Sequence, residues 1–222
     1  MVLPELYSSA NPGAICQVSL FFLEKTTRHL EANCPLCRHE FGEDAQILGR
    51  TMLEHCLYLE HIAAGADTEQ KRIRAESFLH YGDRQRVKRL KVLEELKAAG
   101  KCQTWIEDIL ASDPVQEVRP EPPGFQQLPN LKAIATRLGG EWECKYHLIY
   151  WSVSKLVHPG VLGSHTYAAD PDPEVEVNRA LSLAFEMHAR LTCTVLALLG
   201  EITLAPRLEE RVRQFINLHS QG

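Results

Sequence analysis

The sequence predicts an all-α fold, a bundle of seven to nine helices. Three observations carry that expectation. Apolar residues recur at helical spacing along almost the whole chain, alternating β-branched runs are nearly absent, and Pro or Gly punctuates the periodic segments. With 222 residues, 45% of them hydrophobic and 24% charged, the chain has the balance of a globular protein and the length to bury a core. It is read as one domain over 1–222. Fibrous, disordered and small disulfide-stapled classes are excluded.

Asn11-Pro12-Gly13 opens the first helix, expected to run to about Glu31 with Ile15, Leu20, Phe22 and Leu23 on its apolar side. Asn33-Cys34-Pro35 should break it, because proline disfavours helix in the residue before it. Cys34-Pro35-Leu36-Cys37 is then a turn. A second helix spans 44–64 and stops at Gly65. Asp67 or Thr68 caps a third, which continues through Phe78 and is interrupted or kinked at Gly82. Val87, Leu90, Leu93 and Leu96 carry the pattern on to Gly100, and a short helix covers 104–111. Between 112 and 130 the periodicity dissolves into a Pro-rich loop (Pro114, Pro120, Pro122, Pro123, Pro129), a candidate subdomain boundary. Helices resume at 131–138, 143–157, 175–199 and 208–218, separated by Pro159-Gly160 and Pro171-Asp172-Pro173.

The N-terminal residues lack the basic and apolar regions of a secretory signal. No uninterrupted apolar run approaches 18 residues, so no membrane span is expected. Seven scattered cysteines, several inside apolar helical patterns, fit a reducing, cytoplasmic compartment. The formal charge of −5 excludes a uniformly basic coat. The segment 71–101 nevertheless carries ten basic and four acidic residues, a net +6. Within it Arg84, Arg86, Lys88, Arg89 and Lys91 are candidate contacts to a nucleic-acid backbone, or else a solvated helix face. No aromatic interleaves that run to stack single-stranded bases.

Two polar stripes on otherwise apolar helices mark a candidate site. At 100° per residue, Arg50, Thr51, Glu54, Tyr58 and His61 share a stripe on the second helix, apart from the apolar stripe of Leu48, Met52, Cys56, Leu59 and Ala63, beside which His55 lies. Arg50 and Glu54 are spaced to pair at i,i+4. On the 143–157 helix His147, Trp151, Ser154 and His158 cluster, with Tyr150 at the edge. His158 precedes Pro159 at the expected helix C-terminus, where the dipole favours its protonated form and suits it to donate a proton or hold an anion. The candidate catalytic residues are therefore Arg50, Glu54, His55, Ser154 and His158, with Tyr58, Tyr150 and Trp151 lining a ligand site. The same groups could equally form a structural polar seam.

His29, Cys34, Cys37 and His39 resemble half of a zinc site, but no second well-spaced pair accompanies them. No metal and no cofactor is expected. Phosphate-binding glycine loops, a nucleophile elbow and His-Glu-x-x-His are absent. His188 lies among Leu181, Phe185, Leu191 and Val195 and reads as a satisfied core histidine.

The Arg50-x3-Glu54 helix, Phe78-Leu79-His80-Tyr81 and Tyr150-x3-Ser154-x3-His158-Pro159 together resemble a bacterial all-helical family of unknown function, over 47–160. That resemblance implies a fold more than an activity. Arg50-x4-His55 is also similar to the signature of the higher-eukaryote-and-prokaryote nucleotide-binding (HEPN-like) superfamily of helical bundles. It implies a metal-independent ribonuclease or nucleotide-directed effector of a defence or toxin system, with RNA or a nucleotide as ligand and a homodimer or an antitoxin-like protein as partner. The competing expectations are a non-catalytic helical interaction module and a small-molecule-binding protein.

Overall fold

The computed structural model describes residues 13–101, 104–113, 118, 120–150, 153 and 172–200. Among them are seven α-helices and no strand: α1 (Ala14–Arg38), α2 (Gly42–Ala63), α3 (Thr68–Ala98), α4 (Thr104–Ser112), α5 (Leu131–Leu138), α6 (Gly140–Lys145) and α7 (Pro173–Leu198). A π-helical turn, Tyr146–Tyr150, continues α6. The all-α bundle read from periodicity is the observed fold. Contacts separate two compact units, Met1–Gly65 with Pro129–Gly222, and Ala66–Leu128.

In the first unit α1 and α2 form an antiparallel hairpin, and α7 packs against both. Helix α2 is central. Its buried residues, among them Ala45, Gly49, Met52, Leu53, Cys56, Leu57, Leu59 and Ile62, point in several directions, as a helix enclosed by neighbours requires. It runs parallel to α7, since paired positions rise together along both helices. Gly42 meets Glu176, Ala45 clusters with Ala180, Gly49 meets Leu183, and Glu60 bonds Thr194. Small residues make this approach close. A Cβ on Gly42 would lie 2.7 Å from the Glu176 backbone. Helix α7 starts cleanly at Pro173, with the Asp172 carboxylate accepting from Glu174 N at 3.0 Å. Its length and composition would suffice to cross a membrane. Here Ala180, Leu183, Ala184, Met187, Leu191 and Val195 are buried in the bundle.

The first helix does not end before Pro35. That residue has no N–H to offer the Glu31 carbonyl, yet α1 continues through it to Arg38, so Cys34–Cys37 is the last helical turn rather than a connecting turn. Tertiary contacts override the local preference. Asn33, fully buried, donates from Nδ2 to the Ala45 carbonyl at 2.8 Å, and Cys37 packs with Ala45 and Ala180. The reversal to α2 is then made by three residues, with Glu40 in the left-handed region at φ 63°.

In the second unit α3 runs unbroken through Gly82. Asp67 caps it by accepting from Gln70 N at 2.7 Å. Leu90, Leu93 and Ile106 join α3 to α4, with Leu96, Ile109 and Leu110 packed around them. The Pro-rich segment is not wholly loose. Gln126 N donates to Ser77 Oγ at 3.0 Å, Phe125 meets His80 edge-on, and Gly124 packs on Ile73.

Candidate functional site

The first unit assembles the site from α6 upward. Asn130 caps α5, and Gly139 and Gly140, both at positive φ, turn the chain directly into α6. Ion pairs then pin α6 to α7. Arg190 makes a two-pronged bond to Glu141 (2.6 and 2.8 Å) and another to Glu186 (3.0 Å), and Lys145 reaches Glu186 at 2.5 Å. Trp142 is buried beneath the Arg190 guanidinium, 5.5 Å from its ring centroid. So anchored, α6 delivers the π turn onto the polar stripe of α2. Single π turns of this kind often occur at functional sites.

On that stripe Arg50 and Glu54 pair at 3.1 Å, with side chains 16% and 27% exposed. The Arg50 guanidinium also lies over the Tyr150 ring, 4.3 Å from its centroid. Tyr146 stacks on Tyr150 at 4.8 Å and 14°. Arg50 Nε is buried without a hydrogen-bond partner among the described residues. Burial pushes the Glu54 carboxyl above the ordinary carboxylate range, with Arg50 opposing. Burial likewise raises the Tyr146 phenol, helped by Tyr150 and Glu54 and opposed by Arg50. The cluster can therefore offer a fixed cation, a carboxyl with high proton affinity, and aromatic faces.

Arg50, Glu54 and Tyr150 are thus brought together as their two stripes suggested. Tyr58 is half-buried one turn along the same helix face. His55 turns elsewhere. Five residues of helix place it about 140° from Arg50, against Phe22 (5.3 Å) and stacked on His29 of α1 (5.4 Å, 13°). Its pKa falls to about 4, first through burial and then through His29 and Lys25. Trp151, Ser154 and His158 lie outside the described residues, as do the far end of the expected 143–157 helix and the 208–218 helix. His147 is exposed and meets only the edge of Tyr146 among ring contacts of the described residues.

Other candidates resolve differently. Cys37 is buried and donates to Asn33 Oδ1 at 3.3 Å, and burial pushes its thiol up. His29 is engaged with His55 and His39 sits near Phe41, so the Cys/His set does not converge. Among the described residues no group of three or more His, Cys, Asp or Glu side chains is placed to hold a metal ion. His188 is not satisfied as expected: its Nδ1 is buried with no partner among the described residues, and burial lowers its pKa. On α3, Arg86 makes a bidentate pair with Asp113 and Arg84 reaches Glu121 at 3.6 Å, whereas Lys88, Arg89 and Lys91 are exposed. Sequence reasoning missed Tyr146. Its signal was the i,i+4 spacing to Tyr150, which stacks two rings on one side of a helical turn.

No curated protein and no solved structure matches the chain. A family model matches residues 17–175, well over half of the sequence, and spans the hairpin, the second unit and the π turn alike. The chain belongs to the family of unknown function DUF5677.

Proposed function

We propose that this protein is a HEPN-like, metal-independent ribonuclease or nucleotide-directed effector whose phosphate-facing group is Arg50. The observation that carries the reading is the Arg50 guanidinium, held by Glu54 and flattened on Tyr150 with its buried Nε unpartnered among the described residues. Such a preorganised cation stabilises the charge that develops on a phosphodiester during displacement. Glu54, with its raised proton affinity, accepts the proton of an RNA 2′-OH as that oxygen attacks phosphorus. The bond to the 5′ oxygen breaks and leaves a cyclic phosphate. In this scheme His158 returns a proton to the leaving oxygen, Ser154 positions the phosphate, and Tyr58, Tyr150 and Trp151 line the nucleotide. Lys88, Arg89 and Lys91 draw in the phosphate backbone, with Arg84 and Arg86 released from their carboxylates. A cytoplasmic bacterial defence or toxin role, as a homodimer or with an antitoxin-like partner, belongs to the same proposal.

A non-catalytic interaction module is the second reading. It is favoured by the divergence of His55 from Arg50, which leaves the Arg50–Glu54 pair free to act as a packing device.

The test is incubation of the purified chain with end-labelled single-stranded RNA in the presence of a chelator. Cleavage leaving 2′,3′-cyclic phosphate ends is expected, with Arg50→Ala and Glu54→Gln each slowing it about a hundredfold or more. Wild-type protein that cleaves no RNA, and binds no nucleotide that Arg50→Ala fails to bind, would leave the module reading in place.

A further inference from the structure

His29 and His55 stand apart from the Arg50 cluster, on the opposite flank of α2. Their rings stack at 5.4 Å and 13° across the α1–α2 interface, with Phe22 closing one side. Both Nδ1 atoms are buried and lack a hydrogen-bond partner among the described residues. Two neutral imidazoles tolerate this arrangement, whereas two imidazolium ions at that separation repel each other and leave buried N–H donors unpaired.

Among the described residues the charges acting on His55 are those of His29 and Lys25, both basic. Of the carboxylates nearby in sequence and on the packed helices, Glu24 pairs with Arg28, Glu54 with Arg50, Glu60 with Thr194 and Glu186 with Lys145, while Glu31 is exposed on α1 and is not among the charges acting on either imidazole. On α7 the titratable His188 is shifted the same way, by burial.

We propose that His29 and His55 form an acid-triggered latch between α1 and α2, closed while both imidazoles are neutral and opened when each takes up a proton from solvent. The inference stands independently of the ribonuclease reading, since it concerns the face of α2 that turns away from Arg50.

The sign follows from linkage. Burial and the neighbouring bases hold the folded-state pKa of both groups below 6.5, and that of His55 near 4. The open state therefore binds more protons, and closure weakens as pH falls from about 6.5 towards about 4. Each imidazole that charges on opening raises the opening constant by up to tenfold per pH unit.

The experiment is amide hydrogen exchange across α1 and the adjoining half of α2 between pH 7 and 4.5, corrected for the intrinsic exchange rate. The wild type should lose protection with a slope of about tenfold to a hundredfold per pH unit, and His29→Phe/His55→Phe, which keeps aromatic packing, should be flat. A flat wild-type profile, or the same slope in the double variant, overturns the latch. Should the double variant not fold, an NMR titration of the wild-type imidazoles decides the matter. Titration of His55 well below 6.5 together with the loss of α1 protection supports the latch, and titration near 6.5 in an intact fold overturns it.

Discussion

Arg50 and Glu54 form a largely buried ion pair, and their environment sets how much the pair is worth. A fully exposed pair contributes about 0–1 kcal/mol, and removing one partner of a fully buried pair costs about 3–5 kcal/mol. At 16% and 27% side-chain exposure this pair lies between those limits. Arg50→Ala is expected to lower the unfolding free energy by about 1–3 kcal/mol, read from the urea midpoint. Arg50→Lys should recover part of that, because an ammonium keeps the charge but not the flat contact on Tyr150. The carboxyl also predicts a pH effect. Glu54 holds its proton to a higher pH in the folded state than its ordinary 4.5. Its contribution to stability is therefore full below 4.5 and is lost as pH rises through the folded-state value. Glu54→Gln should flatten that part of the stability curve, and an unaltered curve would contradict the burial of the carboxyl.

Among the helices, glycine has two separate meanings, which substitution can tell apart. Gly82 sits in the middle of α3 with nothing within 4 Å of a built Cβ, so it supplies neither a turn nor a close approach. Gly82→Ala is expected to stabilise the protein by about 0.5–1 kcal/mol through reduced backbone entropy of the unfolded chain. Gly42 opens α2 where the backbone of α7 passes 2.7 Å from its built Cβ. Gly42→Ala must push the parallel pair of helices apart and should cost about 1–3 kcal/mol. Gly49→Ala meets instead the Cδ2 end of Leu183, which can rotate away, and should cost less. Thermal denaturation of the three variants checks the order, and a Gly42→Ala protein as stable as wild type would contradict the close α2–α7 approach.

Across the whole molecule, burial is shared unequally between the two units. The first unit holds the large fully buried side chains, including Phe22, Met52, Leu53, Leu57, Ile62 and Leu191. The second unit's buried apolar residues among those described are Ala75, Val87, Leu90, Leu93 and Ile106. Local stability follows buried apolar contact. At neutral pH the amides of α3 and α4 are expected to exchange at least about tenfold faster than those of α2 and α7. Equal protection throughout would show that both units open only together.

The sequence by itself determined the helical class, most helix positions and the face of α2 that carries Arg50 and Glu54, because these follow from periodicity and local capping. Asp67, Asn130 and Asp172 each stand where a helix starts and accept from a backbone N–H just inside it. Leu131–Leu138 appears with the expected bounds, and Arg50 finds its i,i+4 partner. What lay beyond local pattern was decided by packing. Helix α1 passes through Pro35 because Asn33 and Cys37 are held by Ala45 and Ala180, residues of two other helices. Helix geometry sets His55 about 140° from Arg50, and packing decided that His29 and Phe22 of α1 cover it on that flank of α2. Tyr150, backed by Tyr146, covers Arg50 because Arg190 and Lys145 tie α6 to α7 and so aim the π turn. A helix's rotation and neighbours depend on contacts made across the fold, and no single segment contains them.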